Sequence, residues 1–453
     1  MLEKLFHLKQ NHTNVKTEVL AGVTTFMTMA YILAVNPSIL GAAGMDTTAV
    51  MLATCLASFI GSLCMGLMAN LPFALSAGMG INAFMAYTVV LTYGYSWQAA
   101  LLTVFIEGVL FILLSNFGIR EKIFDSIPQS LKHAVSVGLG IFIAFIGMQN
   151  AGIVVSSSTL ISVFDFQTDF HTAGISALLA IIGTFLTAIL YIRKVPGAIL
   201  LGILGTWVIG MLCQVTGLYV PDGAAGFYSL FPSFTLTDFS RLGETFGACF
   251  HVDLHHVGFF NFIVVIISFL FVDIFDTLGT LIGVATKADM LDENGRLPGI
   301  RPALLADAIA TAAGAVLGTS TTTTFVESAA GVGAGGRTGL TAAVTGVLFL
   351  LSTLLAPIFT AIPSFATAPA LIIVGFLMFT TITKIRLDED NYTEAIPAYL
   401  CILGIPLFYS ISEGIAIGVI SYTVINLFCG KAKKVNTIMY ILSVLFILKF
   451  VFL

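Results

Sequence analysis

The chain has 453 residues, of which 58% are hydrophobic and only 9% charged, and its mean hydropathy is +1.02. Soluble domains are roughly a quarter charged, so there are too few polar side chains here to cover a water-soluble surface, and a soluble enzyme or a disordered tail is excluded. The 19 Lys+Arg against 24 Asp+Glu, net −5, supply no basic stripe for nucleic acid. What remains is an all-α polytopic membrane protein whose first partner is the lipid bilayer.

The N-terminal MLEKLFHLKQNHTNVKTE is polar and amphipathic, without the short apolar core of a cleavable signal. Insertion through the first helix is therefore expected. A spanning helix needs about 20 mostly apolar residues, which places spans at 17–36, 47–69, 74–93, 96–116, 131–153, 172–191 and 196–217. A polar, aromatic stretch from Tyr219 to His256 follows. Seven more spans then fall at 258–282, 302–318, 320–335, 337–361, 364–384, 394–409 and 411–429, with a last apolar run at 436–453 that either spans or lies at the interface. With the N-terminus cytoplasmic, only Arg241 of the Lys and Arg residues lands outside, and Lys449 sits in the last run. Cytoplasmic loops carry the positive excess, so this sorting supports the span count.

Seven is odd, so the second seven spans enter with opposite orientation, as an inverted repeat requires. The third and tenth spans occupy matching positions, and both are poor continuous helices. The third begins Asn70-Leu-Pro-Phe-Ala-Leu-Ser and carries Gly78 and Gly80. The tenth opens on Gly318-Thr-Ser-Thr-Thr-Thr-Thr324, a β-branched run suited to extended backbone, then turns glycine-rich through Gly336. Extended backbone at membrane depth persists only when buried in protein or lining a cavity. Each is expected to be a short strand leading into a half-helix, whose first N–H groups near Ala77–Gly78 and Ser328–Ala329 favour electronegative atoms.

Ionisable groups inside the hydrocarbon region are costly and mark function by default. The eighth span holds Asp273 and Asp276, three residues apart and hence neighbours on a helix. Glu327 opens the tenth half-helix. Burial favours the protonated form of such carboxylates, which suits proton coupling. Asn82, inside the broken third span, offers a donor and an acceptor to a heterocycle edge. Mid-span Glu107 reads as a hydrogen-bonding strut, with a proton relay as the alternative. His251 and His255, at i and i+4, have metal-like spacing without a third ligand on that face, and with His256 they read as a solvated cluster, so no metal site is expected. The six cysteines read as small core hydrophobes rather than a disulfide framework. No P-loop or Rossmann fingerprint appears. An ion or substrate gradient must supply the energy, with no nucleotide or other cofactor.

Several separate runs carry a family resemblance: Ala21-Gly-Val-Thr-Thr-Phe-Met-Thr-Met-Ala-Tyr-Ile-Leu-Ala-Val-Asn-Pro37, Gly80-Ile-Asn82-Ala-Phe, Val272-Asp-Ile-Phe-Asp-Thr-Leu-Gly-Thr-Leu281 and Thr322-Thr-Thr-Phe-Val-Glu-Ser-Ala-Ala-Gly331. The chain resembles the AzgA-like adenine/guanine/hypoxanthine permeases of the nucleobase–cation symporter 2 group, over nearly its whole length. The resemblance implies a core domain (1–117 and 256–361) and a gate domain (118–255 and 362–453) built from two intertwined seven-span repeats. It implies a purine nucleobase as substrate, proton symport, an elevator movement of the core, and a homodimer through the gate. It assigns substrate binding to Asn82, Asp273 and Glu327, with Asp276 secondary. Phe325 or Phe275 is expected to cover the base's face.

Overall fold

The computed structural model describes residues 2–116, 126–157, 160–166, 169–223, 226–232, 235–252, 258–287, 290 and 297–452. Arg120, Lys122, Arg296, His255, His256 and the side chains of Phe275 and Lys287 lie outside this description. In chain order the main helices are α1 (Val15–Met29), α2 (Ile32–Ala42), α3 (Thr47–Cys64), α4 (Met79–Ala83), α5 (Trp97–Asn116), α6 (Gln129–Asn150), α7 (Ile175–Ile192) and α8 (Ala198–Val215). After the loop come α9 (Phe259–Lys287), α10 (Ile300–Leu317), α11 (Ser328–Gly333), α12 (Gly339–Ser352), α13 (Ser364–Phe379), α14 (Tyr392–Leu407), α15 (Ile411–Phe428) and α16 (Thr437–Phe452). Among the described residues, 10 helical stretches are long and apolar enough to cross a membrane. The protein is a mostly helical, multi-pass membrane protein.

The two broken spans meet in the middle of the chain's packing. Strand β1 (Leu75–Ala77) runs antiparallel to a second strand (Thr322–Thr324), with Leu75 opposite Thr324, Ser76 opposite Thr323 and Ala77 opposite Thr322. All six residues are buried. Pairing satisfies backbone groups that have no water to turn to, and α4 and α11 start just beyond the two strands. The hydroxyls of Thr319, Thr321 and Thr323 find partners in surrounding helices, at Asn36, Glu107 and Asp276. Thr311 in α10 donates to the Thr322 carbonyl at 3.1 Å, and Ser58 in α3 meets Ser76 at 2.7 Å. Past α4, residues Phe84–Thr92 widen to π geometry, a change that often marks a functional segment.

Around this crossing the helices fall into two groups. Helices α1, α3, α5, α10 and α12 pack on one another and on the strands, while α6, α7, α8, α13, α14 and α15 pack among themselves. The loop before α9 is pinned to the first group: Arg241 Nη1 reaches Asp46 at 3.3 Å and Glu244 at 3.0 Å, and Asp46 in turn caps α3 through Ala49 N–H at 2.8 Å. A small hairpin, Val154–Ser157 with Leu160–Val163, joins α6 to α7, a feature the apolar pattern does not announce. The last apolar run is α16, packed on α15, with Ser443 donating to Thr423 at 2.6 Å. All six cysteines are free, and Cys249, although in a loop, is fully buried.

Candidate functional site

A cavity of about 1370 Å³ opens beside the crossing. Its inner wall is made by Gly78, Asp276, Thr323, Phe325, Glu327 and Ala329. Two carboxylates thus reach the cavity, from different elements. Asp276 comes from the middle of α9, and Thr323 of the second strand donates to its Oδ2 at 3.4 Å. Glu327 occupies the position before α11, where its Oε1 accepts the Tyr31 hydroxyl at 2.6 Å.

Gly78 shows why this wall admits no side chain. A Cβ there would lie 2.9 Å from Thr323 Oγ1 and 3.3 Å from Asp276 Oδ2. Its φ of −70° is open to any residue, so the constraint is space, not backbone conformation.

The remaining sequence-derived residues stand behind this wall. Asn82, Asp273, Ala77 and Ser328 are fully buried and do not line the cavity. Asn82 accepts a hydrogen bond from Ser320 through Oδ1, while its Nδ2 has no partner among the described residues. An unsatisfied buried donor costs roughly 1–3 kcal/mol. Asp273 accepts from Thr277 at 2.7 Å, and the same hydroxyl lies 3.2 Å from both carboxylate oxygens of Asp307 in α10. Ser328 Oγ accepts the Ala74 N–H at 3.0 Å, stitching α11 to the start of β1.

One sequence expectation changes here. The N–H groups of Gly78, Ser328 and Ala329 are already used, donating to Thr321 O (3.0 Å), Phe325 O (3.1 Å) and Val326 O (3.0 Å). Strand pairing and the tight turn before α11 consume them, so they are not free for a ligand in this conformation. The donors and acceptors facing the cavity are side chains.

Two residues at the site escaped the sequence reading. Asp307 is a fully buried carboxylate in an alanine-rich helix, and its depth in the bilayer was the available signal. Tyr31 sits inside the quoted Ala21–Pro37 run, but nothing local ties it to Glu327. Glu107 accepts the Thr321 hydroxyl at 2.8 Å, so it does act as a hydrogen-bonding strut on the crossing. His251 is exposed. Among the described residues no cluster of His, Cys, Asp and Glu could hold a metal ion.

The backbone matches the transmembrane domain of a cyanobacterium bicarbonate transporter, BicA, with a TM-score of 0.64, covering 90% of this chain and 97% of that one at 15% identity. The likeness is one of fold: a multi-pass helical membrane protein. The chain belongs to the Permease family, which it matches over residues 16–417, and within it to the AzgA-like purine permeases. It is 44% identical to the guanine/hypoxanthine permease PbuG of Bacillus subtilis over 100% of both chains. It is 42% identical to the adenine permease AdeP of Escherichia coli over 100% of this chain and 96% of that one. These relatives are permeases, and the protein is a transporter rather than an enzyme.

Proposed function

We propose that this protein carries purine nucleobases, guanine/hypoxanthine or adenine, across the cell membrane. The observation that carries the reading is the convergence of Glu327 and Asp276 on one cavity beside the strand crossing, in a chain whose relatives are named for these bases. A planar purine presents ring N–H donors and ring-nitrogen or carbonyl acceptors. Glu327 and Asp276 accept the N–H bonds, and Phe325 covers a ring face. The Nδ2 of Asn82, without a partner among the described residues, supplies a donor once the crossing adjusts. Asp273, held by Thr277 next to Asp307, acts from behind the wall.

The wider account follows from the same reading. The chain makes fourteen spans as a 7+7 inverted repeat, with 1–117 and 256–361 as the core and 118–255 and 362–453 as the gate. The two packed helix groups support this division. The N-terminus is cytoplasmic, the protein pairs through the gate as a homodimer, and the core moves like an elevator. A proton is the coupling ion: neutralising one cavity carboxylate eases passage of the loaded core past an apolar gate. No nucleotide or other cofactor takes part. A carrier of inorganic anions on this fold is the alternative, and two carboxylates on the inner wall speak against it. Uptake of labelled hypoxanthine into a purine-uptake-deficient host tests the proposal, with adenine, guanine, xanthine and uracil as competitors and a protonophore as the coupling control. Purines are expected to compete and the protonophore to abolish accumulation. Uptake of labelled hypoxanthine and of labelled adenine both no greater than that of the empty host defeats it.

A further inference from the structure

The cavity is larger than a nucleobase needs. Roughly 300–1,000 Å³ suffices for a drug-sized ligand, whereas this one is about 1370 Å³. Its outer part is also chemically unlike its inner wall. Lys132 and His133 from the first turns of α6, Lys194 from the end of α7, and Lys384 from the turn after α13 all line it. Lys194 and Lys384 are exposed and mark where the cavity meets water. Gln129, the first residue of α6, lines it too, and no side chain caps that helix start. The Leu131 N–H already donates to the Pro128 carbonyl at 3.1 Å, so this helix start offers an anion the Gln129 and Ser130 N–H groups and its positive potential. Lysines at cytoplasmic span ends are ordinary; lysines from three separate elements converging on one cavity with a helix start are not explained by insertion alone.

Spacing relates the two ends. Leu139 of α6 lies level with α4, since a Cβ on Gly80 would sit 3.0 Å from Leu139 Cδ2. Lys132 is seven residues earlier, which at 1.5 Å per residue puts it about 10 Å nearer the mouth. That interval is of the order that separates the base from the phosphate in a nucleotide.

We propose that the mouth of this cavity is a phosphate site that takes a purine nucleoside monophosphate from the cytoplasmic side, its base directed inward toward Glu327 and Asp276. The inference rests on the nucleobase reading above for the identity of the base, and on the basic mouth for the phosphate. Such a ligand fills both ends at once and is too charged to be carried, so it acts as an inhibitor of transport. The purine nucleotide is the product of the reactions that consume an imported base by attaching a phosphorylated sugar, so binding here would slow import when that product accumulates.

The test uses the full-length protein in nanodiscs free of anionic lipid, with labelled hypoxanthine displaced by GMP, guanosine or inorganic phosphate. GMP is expected to displace at lower concentration than guanosine. Lys132→Gln with Lys384→Gln is expected to raise the GMP concentration needed by roughly tenfold or more, since charge-assisted bonds to phosphate are lost, while hypoxanthine affinity stays unchanged. Lys194→Gln, on a separate element, moves GMP in the same direction. GMP no better than guanosine, or a GMP effect untouched by these substitutions, overturns the proposal. So does a mouth that responds to added phosphatidylglycerol but not to GMP. If hypoxanthine does not bind at all, labelled GMP is measured directly: binding lost in the double variant upholds the phosphate site and sinks the nucleobase reading instead.

Discussion

The hydroxyl of Tyr31 donates to Glu327 Oε1 at 2.6 Å across 296 residues of sequence. Tyr31 ends the turn between α1 and α2, and Glu327 begins α11, so one short bond fixes the proposed ligand carboxylate to the first span. The far end of α1 repeats the arrangement. Glu18 accepts the N–H of Arg337 at 2.9 Å, the N–H of Thr338 at 3.2 Å and the Thr341 hydroxyl at 2.6 Å. The broken tenth span is therefore clamped to α1 before and after its half-helix.

Tyr31→Phe removes the donor without removing the ring. A hydrogen bond to a charged group contributes about 1.5–3 kcal/mol, so base affinity is expected to fall roughly tenfold with expression unchanged. Hypoxanthine KM measured in whole-cell uptake checks this; an unaltered KM would separate Tyr31 from the site.

Gly78→Ala places a methyl against Thr323 and Asp276. Overpacking of this kind costs typically about 1–3 kcal/mol. Thermal unfolding of the purified protein is expected to shift downward and uptake to fall. Adding Thr323→Ala should restore part of the stability by vacating the space, and a double-mutant cycle measures that recovery.

Thr277→Val keeps the shape of a buried side chain but removes the hydroxyl between Asp273 and Asp307. The hydroxyl carries a single proton, so its loss costs about 1–3 kcal/mol in all. A lower unfolding temperature is expected, with partial recovery in Thr277→Ser.

Glu18→Ala deprives two backbone N–H groups and a threonine of their acceptor at the start of α12. The combined loss, roughly 3 kcal/mol or more, is expected to reduce folded protein in the membrane. Glu18→Gln keeps one of the two acceptor oxygens and should retain an intermediate amount, as fluorescence-detected size exclusion would report.

Much of this candidate site is legible in the sequence. Scarcity of charge made Asp273, Asp276 and Glu327 conspicuous, and the threonine run with nearby glycines announced extended backbone at membrane depth. The weighting within the pair was not legible. Asp273 and Asp276 are three residues apart, about 60° around a helix at 3.6 residues per turn. Only the rotation of α9 against its neighbours decides that Asp276 meets the cavity while Asp273 turns toward Thr277 and Asp307. Tyr31 and Asp307 were hidden for a related reason: their partners are distant in sequence, and no local pattern records a tertiary contact. Free half-helix N–H groups were expected from the helix starts alone, but the crossing with a segment some 245 residues away claims that of Gly78, and the tight turn before α11 claims those of Ser328 and Ala329.

The most direct test of the central claim is binding of labelled hypoxanthine to the purified protein with Glu327 intact and with Glu327→Gln. The substitution preserves shape and removes the charge that accepts the purine N–H. The account predicts measurable binding in the unaltered protein, with affinity reduced at least tenfold in the variant, while both unfold at similar temperatures. Equal affinity in the two proteins would contradict it.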